Sequence, residues 1–261
     1  MATHTAPILD RILESRRAWV DELKAQERSG GLKAADAEPA RDFRQALRGP
    51  GVALIAECKQ RSPSGGVLQQ PYDPVGLARR YAANGAAAIS VLTEPEFFGG
   101  SLSHLRAIRG AIELPLLCKD FIIDPVQLRA ARSAGADAVL LIVAILDAGD
   151  LRALQQAATE LGLQTVVEVH DDAEVQRALD IGAAIIGINN RDLTRMKTDR
   201  ATTAQLRSRI PAGHVVISES GIESRADIDE LARLKVDAAL VGESLLRAKD
   251  LEARVRELSG Q

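Results

Sequence analysis

Short apolar runs rich in valine, isoleucine and leucine recur along the chain. There are eight of them, at residues 52–56, 87–92, 114–118, 138–146, 165–169, 183–188, 215–217 and 238–241. Their starts lie 18 to 35 residues apart, which is enough for one strand, one helix and two turns. Because the runs are continuously apolar rather than alternating, they are typical of parallel strands that are covered on both faces.

Stretches with apolar residues at three-to-four spacing lie between the runs and predict amphipathic helices. Examples are residues 74–84, 125–134, 151–161, 173–181 and 225–234. Asp73-Pro74 and Asp124-Pro125 are helix starts, since each places a capping carboxylate before a proline at the first helical position. Glycines that suit a left-handed helix end precede several runs, at Gly85, Gly135, Gly162 and Gly182.

Eight such units predict an α/β fold, a (β/α)8 TIM barrel. An open doubly wound sheet is the alternative, but it usually has fewer strands and a Gly-x-Gly-x-x-Gly turn after the first strand, which this sequence lacks. Residues 1–48 are predicted to be an N-terminal helical extension that packs on a barrel of residues 49–261, within one domain. Apolar residues at helical spacing from Ile8 to Leu23 predict its first helix, and residues 43–47 a second. The pattern leaves open whether these helices do more than cover apolar surface.

Charge and composition narrow the possible partners. The chain of 261 residues has 33 basic and 36 acidic side chains, and the basic ones are scattered, which favours neither nucleic acid nor a membrane surface. The longest apolar run has nine residues, well under the roughly 20 that span a bilayer. No secretory signal is visible at the N-terminus, and Cys58 and Cys118 lack the spacing of a zinc site. We expect a cytoplasmic protein with a small-molecule partner.

Charged residues at the carboxyl ends of the apolar runs are the first candidates for chemistry, because this end of a barrel carries the active site. Glu57 and Lys59 follow the first run, Lys119 the third, Glu168 lies in the fifth and Glu219 follows the seventh. All belong to odd-numbered strands, whose side chains share a layer, so they could converge on one site. Lysines and glutamates in such a pocket can act as general acid and base. The alternative is that they are ion pairs that hold loops.

The loops after the last two strands predict a phosphate site. Residues 219–223 and 242–246 contain Ser-Gly and Gly-x-Ser segments, and this is the common phosphate position in barrels of this kind. Elsewhere, Asn189 and Arg191 follow the sixth strand, and Phe98 lies in a glycine-containing loop where it could cover an aromatic substrate. His170 has no second histidine or cysteine nearby for a metal site, so we expect it to be satisfied or solvent-facing.

Seven segments resemble, in the same order, the indole-3-glycerol-phosphate synthase family of tryptophan biosynthesis. They are Ile55-Ala56-Glu57-Cys58-Lys59 with Ser62-Pro63-Ser64, Ile89-Ser90-Val91-Leu92-Thr93 with Phe98-Gly99-Gly100-Ser101, Lys119-Asp120-Phe121-Ile122-Ile123-Asp124, Val167-Glu168-Val169-His170, Gly187-Ile188-Asn189-Asn190-Arg191-Asp192-Leu193, Ser218-Glu219-Ser220-Gly221-Ile222 and Val241-Gly242-Glu243-Ser244-Leu245. The resemblance is close over residues 52–246 and loose before them. Gly65 and Val126 depart from it, since many members have lysine and an aromatic residue there.

The resemblance implies a carbon–carbon lyase. It would cyclise 1-(2-carboxyphenylamino)-1-deoxyribulose 5-phosphate to indole-3-glycerol phosphate with loss of carbon dioxide and water. By similarity, Lys119 is the general acid and Glu168 the general base. Lys59 would pair with the substrate carboxylate, and Glu57 would orient Lys59. No metal or organic cofactor is implied, because every step is proton transfer or elimination.

The resemblance also implies the rest of the site. Asn189 would be catalytic, and with Glu219 would hold sugar hydroxyls or orient catalytic groups, while Arg191 would shape the anthranilate pocket. The other substrate-binding residues would be Ser62, Phe98, Ser220, Gly221, Gly242, Glu243 and Ser244. The phosphate would be held by Ser62, Gly221, Gly242 and Glu243, the last two through backbone N–H groups. Phosphoribosylanthranilate isomerase and the tryptophan synthase α subunit are rival barrels, and a non-catalytic phosphometabolite-binding protein is a rival of another class. Because 15 residues follow Leu246, we expect a monofunctional chain, and we expect it to be a monomer.

Overall fold

The computed structural model describes residues 8–31, 38–63, 65–192 and 197–261, so that the first seven residues of the predicted extension, Ser64 and Leu193 lie outside it. Eight parallel strands form a closed barrel in which the first strand pairs with both the second and the last. The strands are β1 (Ala53–Cys58), β2 (Ala88–Leu92), β3 (Leu116–Lys119), β4 (Ala138–Ile142), β5 (Gln164–Val169), β6 (Ile185–Asn189), β7 (Val215–Glu219) and β8 (Ala238–Val241). The predicted (β/α)8 barrel is confirmed.

Helices surround the barrel and alternate with its strands. They are α1 (Ile8–Arg28), α2 (Phe43–Ala46), α3 (Pro74–Ala83), α4 (Pro95–Phe98), α5 (Leu102–Arg109), α6 (Pro125–Ser133), α7 (Ala148–Glu160), α8 (Asp172–Asp180), α9 (Ala201–Arg207), α10 (Arg225–Arg233), α11 (Glu243–Leu246) and α12 (Leu251–Ser259). Asp73 and Asp124 cap α3 and α6 as predicted, through bonds accepted from Gly76 N and Val126 N. Within the described ranges, no helix is both long and apolar enough to cross a membrane.

Three strands that carry candidate charged residues extend past the last apolar residue of their runs. β1 continues through Glu57 to Cys58, β3 ends on Lys119 and β7 ends on Glu219. These charged residues therefore belong to strands and not to the following loops. Because side chains alternate along a strand, strand pairing fixes the direction in which each of them points.

The fourth run is shorter as a strand than its sequence indicates. Residues 138–146 were expected to form one strand, but β4 ends at Ile142, the last residue that pairs with β5, and residues Val143–Ile145 form a single 3-10 turn. The carbonyls of Val143 and Leu146 accept hydrogen bonds from Arg177 on α8, which holds the chain in this bend. Apolar residues continue because the bend remains partly buried beneath the helices, not because pairing continues.

The N-terminal helices lie at opposite ends of the barrel. Val20 and Leu23 of α1 pack against Val126 and Ala130 of α6, on the outside of the barrel. Phe43 of α2 is fully buried in the cluster that fills the barrel interior. Arg44 N of α2 donates to Gln164 Oε1 at the start of β5, and Arg41 N, just before α2, donates to Asp137 Oδ1 at the start of β4. Helix α2 therefore closes the end of the barrel opposite to the strand carboxyl ends.

Asp137 organises this closed end. Its fully buried carboxylate accepts hydrogen bonds from Leu116 N at 2.7 Å and from Arg41 N at 2.7 Å, and it pairs with Arg109 Nη1 at 2.7 Å. Arg41 in turn donates to Leu114 O at 2.9 Å. The carboxylate thus joins the segment before α2 to the starts of two neighbouring strands.

We expect Asp137→Ala to lower the free energy of unfolding by about 3–5 kcal/mol, because it leaves the Arg109 charge and two buried amides without their partner. Urea denaturation measures the change. Glu113→Ala is the matched control, because the Glu113 side chain also pairs with an arginine of this region, Arg41, but is 98% exposed. This variant should change the free energy of unfolding by less than about 0.5 kcal/mol. Equal effects of the two variants would contradict this account of Asp137.

Candidate active site

The carboxyl ends of the strands open into a cavity of about 930 Å³. Of the residues that the sequence predicted for the site, those that line this cavity are Glu57, Lys59, Phe98, Lys119, Glu168, Asn189, Arg191, Glu219, Ser220, Gly221, Gly242, Glu243 and Ser244. Ser62 is not in the lining; it is buried nearby, and its Oγ accepts a hydrogen bond from Gly65 N at 2.9 Å. The barrel geometry therefore brings together residues that are far apart in sequence.

A lysine between two carboxylates occupies the centre of the cavity. Lys119 Nζ lies 2.6 Å from Glu219 Oε2 and 3.3 Å from Glu168 Oε2. The three residues come from β3, β7 and β5, which are alternate strands whose inward side chains share a layer. Each side chain is at most 15% exposed. The arrangement is a nearly dry cluster in which a proton donor and two acceptors are already in contact.

A second ion pair lies at the end of β1. Lys59 Nζ is 2.7 Å from Glu57 Oε1, as expected for side chains two residues apart at a strand end. Both line the cavity. Burial would raise the pKa of Glu57, but Lys59 and Lys119 outweigh burial and lower it. The pair therefore places a second ammonium in the cavity and keeps Glu57 ionised.

Two glycines leave the space that the carboxylates fill. A Cβ atom on Gly187 of β6 would lie 2.4 Å from Glu219 Oε1, and one on Gly242 would lie 2.5 Å from Glu57 Oε1. Real Cβ atoms do not approach so closely, so any side chain at either position would displace the carboxylate. The glycines thus leave room for Glu57 and Glu219 at the positions where the ion pairs hold them.

The central cluster separates the proton affinities of its members. Burial lowers the pKa of Lys119, but Glu219 and Glu168 outweigh burial and raise it, so the group is an ammonium at neutral pH. Burial would raise the pKa of Glu168, but Lys119 and His170 bring it below its ordinary value. Burial and the Glu168 charge raise the pKa of Glu219. Glu168 is thus ionised at neutral pH, and Glu219 holds a proton more readily than Glu168 does.

His170 is a neighbour of the cluster that the sequence did not assign to the site. Its Nδ1 is hydrogen-bonded to Glu174 Oε2 at 3.0 Å, and its Nε2 faces the predicted base, 3.3 Å from Glu168 Oε1. Burial would lower the pKa of His170, but its bonds to Glu168 and Glu174 raise it to about 10. The sequence signal for this contact was that His170 follows Glu168 by two residues, because this spacing places both side chains on one face of the strand.

One wall of the cavity is apolar and aromatic. The rings of Phe98 and Phe121 lie 6.1 Å apart, tilted by 35°, and Leu140 and Ile142 of β4 continue this wall. Sequence reasoning singled out Phe98 but missed Phe121, which follows the end of β3 by two residues. A flat apolar ligand ring would fit against this wall, near the ammonium of Lys119.

The opposite wall is polar and contains the loop after β7. Asn189 Oδ1 accepts hydrogen bonds from Ser220 Oγ at 2.9 Å and from Arg191 N at 3.0 Å. Ser220 and Gly221 both have left-handed backbone, with φ of 68° and 80°. Asn190 Nδ2 donates to Ser220 O at 3.0 Å and holds the loop in this costly conformation. The predicted phosphate loop is therefore rigidly attached to the end of β6.

Arginines line the rim on this side. Arg247 Nε lies 2.8 Å from Glu243 Oε1, and Arg191 Nη2 lies 4.0 Å from Glu243 Oε2. A Cβ on Gly65 would lie 3.3 Å from Arg247 Nη2. Gly65, one of the departures from the resemblance, thus leaves room for an arginine that the sequence did not single out. The rim is a suitable place for an anionic group.

Comparison with known proteins gives one consistent family. The profile described as "Indole-3-glycerol phosphate synthase" matches residues 9–258. The chain is 48% identical to the "Indole-3-glycerol phosphate synthase" of Roseiflexus sp. (strain RS-1), over 97% of this chain and 98% of that one. It is 49% identical to "Indole-3-glycerol phosphate synthase 2" of Streptomyces coelicolor, over 94% of this chain and 93% of that one.

Solved structures at low sequence identity share the fold. The 3-hexulose-6-phosphate synthase of Salmonella typhimurium has a TM-score of 0.63 at 19% identity, and the match covers 80% of this chain and 97% of that one. A chain of the tryptophan synthase a2b2 complex of Pyrococcus furiosus has a TM-score of 0.60 at 16% identity, with 80% and 98% covered. These matches support the barrel architecture alone.

We expect an NMR titration of the histidine side chains to give His170 a pKa of about 10, with His170→Asn used to assign its signal. A raised pKa means that the charged imidazolium stabilises the fold below about pH 6.5, and that this contribution is lost as the pH rises through about 10. In His170→Asn, stability should therefore fall less steeply over this pH range. A midpoint near the ordinary value of about 6.5 would contradict the ion pairs described for this side chain.

Proposed function

Because the chain belongs to the indole-3-glycerol phosphate synthase family, we propose that this cavity cyclises 1-(2-carboxyphenylamino)-1-deoxyribulose 5-phosphate to indole-3-glycerol phosphate, with loss of carbon dioxide and water. The observation that carries the proposal is the Lys119 ammonium between Glu168 and Glu219, beside an aromatic wall. The substrate offers an aromatic ring, a carboxylate, a ketone, hydroxyls and a phosphate. Each of these groups has a complementary partner in the cavity.

Lys119 acts as the general acid in ring closure. The ring carbon that bears the carboxylate attacks the ketone carbon, and the ketone oxygen takes a proton from the Lys119 ammonium as the new carbon–carbon bond forms. This attack removes the aromaticity of the ring, so the barrier depends on a cation at the oxygen where negative charge develops. The raised pKa of Lys119 ensures that its proton is present at neutral pH.

Loss of carbon dioxide and loss of water complete the reaction. The carbon–carboxylate bond breaks, and its electron pair restores the aromatic ring. The hydroxyl that was the ketone oxygen then leaves with a proton as water, while Glu168 removes a proton from the neighbouring carbon to form the indole double bond. The lowered pKa of Glu168 keeps it ionised for this task.

The Glu57–Lys59 pair assists at the carboxylate end. Lys59 pairs with the substrate carboxylate until it leaves, and the 2.7 Å contact with Glu57 holds the ammonium in that place. Because Glu57 packs against Gly242, its position is coupled to that of the loop after β8. Lys59 can also supply a proton during dehydration.

Substrate binding is divided between the two walls. Phe98 contacts the anthranilate ring, while Asn189 and Glu219 hold sugar hydroxyls. Arg191 lies at the rim of the polar wall, 4.0 Å from Glu243 Oε2, where it shapes the anthranilate pocket on the side that borders the phosphate site. The phosphate lies at the opposite side, where its ligands are Ser62, Gly221 and the backbone N–H groups of Gly242 and Glu243. Ser220 and Ser244 are neighbouring substrate-binding residues. Support for this assignment comes from the left-handed loop at residues 220 and 221 and from the arginines at the rim.

We propose further that the chain works as a single-domain, cytoplasmic monomer with this phosphorylated small molecule as its partner. Cys58 and Cys118 are buried free thiols, which suits a reducing compartment. Among the described residues, Val67 is the single large hydrophobic side chain that is exposed, so these residues offer little apolar surface for a stable subunit contact.

We expect the purified protein to convert the carboxyphenylamino-deoxyribulose phosphate to an indole product in the absence of added metal, as followed by indole fluorescence. Lys119→Ala and Glu168→Ala should each lower turnover by roughly a hundredfold or more, the contribution of one general acid or base. Lys249→Ala is the control for lysine removal, because this side chain is exposed and outside the cavity lining. It should retain normal turnover.

The outcomes separate the alternatives. Saturable binding of the substrate without fluorescence would indicate a non-catalytic binding protein, and absence of binding would indicate a different phosphorylated ligand. Product formation with near-normal turnover in both Lys119→Ala and Glu168→Ala would uphold the reaction but overturn the assignment of acid and base.

A further inference from the structure

A buried arginine of the N-terminal helix lies behind the aromatic wall of the cavity. Arg16 of α1 is 2% exposed. Its Nη2 lies 3.6 Å from Glu94 Oε1, and its Nη1 lies 3.5 Å from Asp120 Oδ2. Both carboxylates are buried, and the guanidinium stacks 4.7 Å from the ring of Trp19 on its other side. One side chain thus joins the extension to the loops after β2 and β3.

Glu94 connects Arg16 to the backbone that carries Phe98. Its carboxylate caps α4, where Oε2 accepts hydrogen bonds from Phe97 N at 2.7 Å and Phe98 N at 3.1 Å, and Oε1 accepts one from Glu96 N at 2.9 Å. The Glu94 carboxylate therefore positions three backbone amides of α4, and Arg16 in turn helps to set where that carboxylate lies.

Asp120 connects Arg16 to the backbone that carries Phe121. Its Oδ1 accepts a hydrogen bond from Phe121 N at 2.8 Å, and its Oδ2 accepts one from Thr93 Oγ1 at 2.7 Å. Asp120 also directly follows Lys119 at the end of β3. Burial raises the pKa of Asp120 and the Arg16 charge counteracts this rise.

Arg16 is the shared counter-charge of this pair. Within the described part of the chain, it is the one basic side chain within 4 Å of Glu94 and of Asp120. Without it, two neighbouring buried carboxylates would face each other uncompensated, which is strongly unfavourable. The loops would have to move to hydrate them, and each carboxylate is bonded to the backbone of one wall phenylalanine.

We infer that Arg16 is a positioning residue for substrate: through Glu94 and Asp120 it sets the separation and tilt of the Phe98 and Phe121 rings that receive the anthranilate ring. This inference rests on the proposed function, since it concerns how that substrate is held. It also gives the N-terminal helix a task beyond covering apolar surface. A ring displaced by about 1 Å is enough to lower the rate of an oriented reaction strongly.

The test compares Arg16→Met with Arg17→Met, which removes an exposed arginine from the adjacent position of the same helix. We expect Arg16→Met to lower kcat/KM for the substrate about tenfold or more, mainly through KM, while inhibition by inorganic phosphate, which binds at the opposite wall, changes less than about twofold. Arg17→Met should leave kcat/KM, KM and the inhibition by phosphate unchanged. Arg16→Lys keeps the charge and should recover part of the loss. Equal weakening of substrate and phosphate binding in Arg16→Met would overturn the inference, because it would indicate general damage.

A double-mutant cycle identifies the route of the effect. If Arg16 acts through the aromatic wall, Phe98→Leu should lower kcat/KM clearly in the wild-type background but much less in Arg16→Met, because the wall is already displaced. Fully additive effects would overturn the inference. If Arg16→Met does not fold, the same cycle is run with Arg16→Lys. Failure of the wild-type chain to form an indole would count against the proposed function, whereas an active wild type with an unaffected Arg16→Met would count against this inference alone.

Discussion

The arrangement of the cavity depends on the burial of one ammonium group. Lys119 is almost removed from water, and such a charge is costly unless carboxylates surround it. The barrel supplies them because β5 and β7 direct Glu168 and Glu219 into the layer that Lys119 occupies. Gly187 leaves the space in which Glu219 can sit. The contacts that make the buried charge tolerable also keep it protonated, which is the state that an acid needs.

In the proposed function, the elements around this centre bind different parts of the substrate. An aromatic wall lies on one side, and Arg16 supports it through its contacts with Glu94 and Asp120. A polar loop with left-handed backbone lies on the other side. The Glu57–Lys59 pair supplies a second cation to the same cavity. Proton transfer, ring binding and phosphate binding are thus assigned to separate parts of the barrel. The fold was predicted from the runs of apolar residues and is confirmed, whereas the assignment of these tasks is our proposal from family membership and geometry together.

The sequence predicted the barrel, and all but one of its predicted site residues line the cavity, because both results follow from local rules. Apolar runs mark parallel strands, and charges at the ends of alternate strands must meet. The features that it missed depend on contacts between residues distant in sequence. The strand predicted at residues 138–146 ends at Ile142, and Arg177 bonds to the turn that follows. Arg16 contacts Asp120, which is 104 positions away. Arg16 appears in the sequence as one more charged residue of an amphipathic helix. Its spacing from Ile12, Val20 and Leu23 puts it on the inward face of the helix, but the sequence does not show that two carboxylates lie beneath it.

The charge state of Lys119 tests the central claim most directly. NMR of the lysine side-chain amines, with the Lys119 signal assigned from Lys119→Ala, would follow its protonation in the free protein as the pH is raised. The account predicts that Lys119 remains an ammonium past its ordinary pKa of 10.5, because Glu219 and Glu168 stabilise the charge. A midpoint at or below that value would mean that burial outweighs the carboxylates, and it would contradict the role of Lys119 as a proton donor held between them.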